Sequence, residues 1–407
     1  MKTLWAIALK VLVLSILVPI QAALALDPPV NATQVGHWDG YTGINSDIWG
    51  DGDYVYMPNW PLGDGQEARV FILDISDPTN PVLDETLFLP PPNNDSSPQD
   101  VKVGDGLLFI GLEGDLDDGV AIYDVRNPAN RQLLTYVTVP GFEAVHNIFY
   151  EGGFLYIVGG TSIAIVDLTT FDPDNAPAST ITTAQWILTD IGTQFVHDVT
   201  VQGGRLYAAA WSSGLWVYDV SDVANTIPTF LGSVAGQSTH SMWATSDGKF
   251  VVTGEERPGG GIKVYEMIDT GGSLTFELRD SLAFPSGDAF SVHNQVIVGN
   301  RLYNAWYEKG MQVFDINPTT GALEFVASFD TSDGGLGNWG IYPLLGEDKI
   351  LLSDGSQGLY VVALDLPPAP IPTVSQWGLV VMSLLVLTAG TLVYNRRAIP
   401  CAVRMGD

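Results

Sequence analysis

Residues 196–222 read VHDVTVQGGRLYAAAWSSGLWVYDVSD, and this stretch decides the fold. Two strand-like runs flank Gly203-Gly204, residue types that accept the positive φ a tight hairpin requires. After a loop, a third run rich in aromatic and β-branched residues ends on Asp219. The pattern recurs as VHNQVIVGNRLYNAWYEKGMQVFDINP at 292–318, and further copies begin near residues 46, 99, 146, 240 and 338. Each copy closes with an Asp/Asn/Pro turn and a fourth run such as PTFLGSV or LLTYVTV. Seven units of four short strands, spaced by 43 to 53 residues, are the signature of propeller blades. One small twisted sheet cannot bury both faces alone, so successive sheets stack around an axis.

The last copy ends after its third strand, at Leu364, while ATQVGHW (32–38) ahead of the first copy has the pattern of a fourth strand. The expected fold is therefore all-β: a seven-bladed β-propeller over 26–366, its N-terminal strand closing the last blade and removing the open edge.

Both ends read as addresses. Lys2 and Lys10, an apolar run and Ala23-Leu24-Ala25 give a signal peptide over 1–25. A Pro-rich linker (367–376) leads to an apolar, charge-free stretch expected to form a transmembrane helix (377–395), and a basic tail (396–407) is expected in the cytoplasm. The body is thus expected beyond the inner membrane: at the cell surface, in the outer envelope, or membrane-anchored. The sole cysteine is Cys401, so the body has neither disulfide nor thiol chemistry. With 17 basic against 46 acidic residues, the net charge of −29 offers no footprint for nucleic acid.

The third-strand motif AIVD, ending at Asp167, and its variants FILD, WVYD and QVFD resemble the repeat of the LVIVD propeller family. Bacterial surface proteins of the choice-of-anchor B type contain it, and the resemblance implies a secreted propeller with no family-wide activity. The tail is similar to an IPTL-type sorting signal, carried by Ile371, Pro372, Thr373, Trp377 and Gly378, then Arg396 and Arg397. That resemblance implies an exosortase-like processing enzyme as partner; ten residues follow Arg397, more than such signals usually have. The protein or glycan bound by the body is left open.

Aligning the copies puts four of the five histidines, His146, His197, His240 and His293, at one phase of the repeat. The next column holds Asp100, Asn147, Asp198 and Asn294, and second-strand ends supply Glu113, Trp211 and Glu255. First strands line a propeller's channel, so these side chains are expected around one mouth. Two readings compete. In one, they satisfy backbone groups where blades meet, and the protein is a binding or scaffold module. In the other, the histidines hold a transition metal or ligand, with the acids, Asn147, Asn294 and Trp211 as supporting shell, and the protein is an extracytoplasmic oxidoreductase. Calcium is the other candidate ion, at the acidic turns GDLDDG (114–119) and FDPDN (171–175).

Overall fold

The computed structural model describes residues 27–366, apart from 41–42, 61–66, 90–95, 115–118, 143, 177–179, 284–290 and 332–335. Seven antiparallel sheets follow one another along the chain. Blade 4 shows the rule: Asp198–Gln202, Arg205–Ala209, Leu215–Asp219 and Thr229–Val234 pair in sequence order. Its first hairpin pairs Gln202 with Arg205 across Gly203 and Gly204, whose φ values of +58° and +76° explain the glycines. In blade 1 the first strand is split into Ile44–Asn45 and Trp49–Asp51, both paired with Tyr54–Trp60.

The ring closes as the sequence implies. Ala32–Trp38 pairs antiparallel with Gly358–Leu364, from Ala32 opposite Leu364 to Trp38 opposite Leu359. It is the fourth strand of the blade begun by Asn338–Tyr342 and Ile350–Asp354. One sheet thus draws on both ends of the body, and the pairing edge of Gly358–Leu364 is covered.

The aspartate ending the third-strand motif builds a turn. Asp74, Asp124, Asp167 and Asp219 each accept from the backbone N–H two residues on, at 2.8–3.0 Å. The bonds from Ser221 hold Asp219 below the ordinary carboxylate range.

Apolar side chains fill the space between neighbouring sheets. Tyr207, Ala209 and Val217 of blade 4 pack with Met242, Val251 and Tyr265 of blade 5. Tyr342, Leu351 and Val361 of blade 7 pack with Val55, Phe71 and Leu73 of blade 1, sealing the junction. Because the core lies between the blades, the axis is left to polar side chains.

The proposed signal peptide, the C-terminal helix and the sorting-signal residues lie outside the described residues. Among the described residues no helix is long and apolar enough to cross a membrane. Residues 115–118 of the first acidic turn also lie outside them. In the second, Asp172 caps a single turn by accepting from the Asp174 N–H and the Asn175 amide, and Asp174 pairs with Arg126. The Asp172 carboxylate thus serves its own turn, and that of Asp174 a neighbouring arginine.

Candidate functional site: the axial mouth

The histidine column sits where the strand register slips. In blades 2, 5, 6 and 7 the first strand carries a β-bulge at its head, spanning Gln99, His240, His293-Asn294 and Trp339 respectively. A bulge re-aims side chains that strict alternation would send to opposite faces. The bulges thus re-aim His240 and His293, whereas His146 and His197 stand ahead of unbulged first strands; members of the next column line an axial cavity of about 60 Å³, among them Asp47, Asp100, Asp198 and Asn294.

The four imidazoles stand in series. Ring centroids are 4.3 Å apart for His146 and His197, 3.9 Å for His197 and His240, and 4.2 Å for His240 and His293. Trp339 continues the arc 4.7 Å from His293, and Trp60 meets Trp339 at 5.1 Å. Trp211 stacks on His197 at 5.4 Å and on Phe195 at 5.1 Å. Its φ of +45° is unusual for a bulky residue, and it is held by a bridge to Thr239. Half-buried aromatic rings thus rim a buried polar floor.

Three of the four imidazoles turn Nδ1 to an oxygen within hydrogen-bond reach. His146 Nδ1 lies 3.3 Å from Glu113, His197 Nδ1 lies 2.9 Å from Asp198, and His293 Nδ1 donates to the Trp339 carbonyl at 2.7 Å. His240 differs: Asp198 is 3.8 Å from its Nδ1 and Glu256 is 3.8 Å from its Nε2, and neither nitrogen has a hydrogen-bond partner. Burial pushes His197 and His240 well below the ordinary imidazole range and His293 down to about 3. Burial also opposes the charge on His146, but Glu113, with Asp198 and Glu256, more than offsets it and raises the pKa. Burial drives the Asp198 and Glu256 carboxyls up to about 7.

Below the histidines the polar column joins blade to blade. Ser46 donates to the Pro98 carbonyl, Asp100 accepts from the Ile148 N–H, Asn147 from the Val199 N–H, and Ser241 donates to the His293 carbonyl. Every one of these links runs from one blade to the next. Asn147, expected as a supporting group for a ligand, is thus a backbone cap, and Asn294 donates to Asp47 at 3.3 Å.

Glu255 is engaged by its own blade's neighbours rather than by a histidine. Its carboxylate is taken by Lys263 at 2.5 Å, Arg257 at 3.0 Å and the Gln237 N–H at 3.3 Å. Glu256 faces His240 instead. Thr239 pairs with Glu255, and the Glu256 N–H then bonds the carbonyl of Ser238, whose φ is +52°. Alternation sends the neighbouring carboxylates to opposite sides. The hydroxyl of Tyr307 donates to Glu256 at 3.0 Å.

Lys102, which sequence reading passed over, is buried in the channel and donates to Asp47 (2.9 Å), Asp100 and the Val101 carbonyl (3.1 Å). Its signal was alternation: Lys102 stands two residues after Asp100, on the same strand face. His37, outside the column, bonds the Gln357 carbonyl at 2.7 Å and stacks on Tyr360.

Fold and site define a seven-bladed β-propeller whose axial mouth is built from histidine, acid and aromatic side chains. The chain carries LVIVD repeats, matched at residues 42–87 and 195–235, and an IPTL-CTERM motif at 369–397. Together these point to an exported surface protein. No curated protein matches the chain. Among solved structures, the computationally designed Ika8 protein is similar in fold, with a TM-score of 0.50 at 12% identity over 81% of this chain and 98% of that one.

Proposed function

We propose that the chain is a surface-displayed binding module whose axial mouth takes a ligand. The observation that carries this is the IPTL-CTERM motif at 369–397 following a closed propeller: a sorting signal behind a rigid body. In this reading 1–25 is the export signal, 26–366 the working body and 367–376 the spacer, while 377–395 anchors the chain until a sorting enzyme acts, with 396–407 inside. The mouth supports a binding role because half-buried Trp60, Trp211, Tyr307 and Trp339 surround convergent polar groups, the usual composition of a ligand site.

Two measurements test it. Intact cells are labelled with an antibody against the body, comparing the full chain with one lacking 369–407. Labelling of the first and release of the second into the medium support display; a protected, internal chain refutes it. Binding of the full chain to arrayed glycans and cell-surface proteins is then compared with Trp211→Ala. Ligands lost with that substitution place recognition at the mouth, and unchanged ligands move it to the blade rims.

A further inference from the structure

His240 is 1% exposed and pairs neither ring nitrogen, an arrangement that is unfavourable unless something compensates it. Its surroundings supply what a metal ion needs. His293 gives its Nδ1 proton to the Trp339 carbonyl, which leaves a lone pair on Nε2. A backbone carbonyl behind a ligating imidazole is the usual orienting partner. Glu256 has one oxygen held by Tyr307, and its other, Oε2, is the atom 3.8 Å from His240 Nε2. The donor atoms of His240, Glu256 and His293 all lie within 4.8 Å of one another.

We propose that His240, Glu256 and His293 form a binding site for a divalent first-row transition ion, two imidazole nitrogens and one carboxylate oxygen closing on it. Tetrahedral bonds of about 2.0–2.2 Å set donors ~3.3–3.6 Å apart, so the His240–Glu256 pair must close by a few tenths of an ångström, and any pair at the outer limit by ~1.2–1.5 Å. Tyr307 and the Trp339 carbonyl position two of the ligands. The third, His240, has only Asp198 near its Nδ1, at 3.8 Å and beyond hydrogen-bond reach. Two nitrogen donors favour iron, cobalt, copper or zinc over calcium and magnesium, which take oxygen donors. The second nearby group, His197 with Asp198 and His240, shares His240 and so competes with the first for it. The inference goes beyond display and binding, and depends on neither.

The test uses the full chain, stripped with a chelator and titrated with Co²⁺ alone. One Co²⁺ per chain, with visible ligand-field absorption that Zn²⁺ abolishes, is the expected result, and Ca²⁺ leaves the spectrum unchanged. Glu256→Gln and His240→Ala should lose the stoichiometric site. Tyr307→Phe should weaken it about 10-fold, as removal of an orienting partner does. His37→Ala, on the closing strand, should bind like the parent. Circular dichroism identifies any variant that fails to fold, in which case the isosteric Glu256→Gln and Tyr307→Phe decide. Absence of stoichiometric Co²⁺ on the parent, or equal binding by folded Glu256→Gln, overturns the proposal.

Discussion

Replacing Lys102 by Met tests how the axis is held together. The Lys102 side chain is 10% exposed, with Asp47 at 12% and Asp100 at 4%. Burial works against the Asp47 carboxylate, but Lys102, with hydrogen bonds from Asp100 and the Ile48 backbone, more than offsets this and keeps it below the ordinary range. Asp100 is pushed well above it by burial and by Asp47. The parent trio therefore shares one cation between two buried carboxyls, whose pKa values move in opposite directions. Removing the cation leaves a buried charge without its partner, which costs about 3–5 kcal/mol. An unfolding entropy of ~2.1 cal/mol/K per residue over the roughly 340-residue body is ~0.7 kcal/mol/K, so the midpoint should fall by about 4–7 °C.

The pH dependence has a definite sign. In the parent, the depressed Asp47 pKa contributes stability above the ordinary carboxylate range that is lost as pH falls. In the variant both carboxyls are buried without a cation and their pKa values rise above those of the unfolded chain. The folded state then binds more protons, and stability declines as pH rises. Thermal unfolding followed by circular dichroism at pH 5 and pH 8 should show the greater loss at pH 8. Adding Asp47→Asn and Asp100→Asn should recover most of it, since no buried charge remains. A midpoint within about 1 °C of the parent, or a larger loss at pH 5, refutes the reasoning.

Three further predictions follow from the geometry. Asp219→Ala removes a turn hydrogen bond and should cost about 0.5–1.5 kcal/mol in denaturant unfolding at neutral pH. Because that carboxylate is held below its ordinary range, the difference from the parent should vanish as pH falls through the folded pKa. Gly337→Ala combines a φ of +83° with a new Cβ 1.7 Å from the Tyr307 carbonyl oxygen; the backbone strain alone is worth about 1–3 kcal/mol. Displacing Tyr307 should also weaken Co²⁺ binding. Deleting Ala32–Trp38 uncovers the edge of Gly358–Leu364, so size-exclusion chromatography should show self-association; a monomer of parental midpoint contradicts the closing role.

Much of this architecture was legible in residue order because it rests on local rules. Gly203-Gly204 demand a hairpin, alternation assigns strand faces, and seven similar units must stack to bury them. Even the closing strand could be inferred, since Leu364 ended one strand short and ATQVGHW supplied it. The histidine column was visible as a phase of the repeat. What occupies the mouth beside it was not. Glu255 and Glu256 are adjacent, and the slip at His240, with Ser238 at positive φ, decides which one faces the axis. Lys102 looked like an ordinary strand lysine until the ring brought Asp47 against it. Repetition and alternation are properties of the chain itself, so the sequence determines the blades and their number. Partners contributed by different blades, and side chains redirected by bulges, exist only once the ring has closed, so the tertiary structure alone decided the chemistry of the axis.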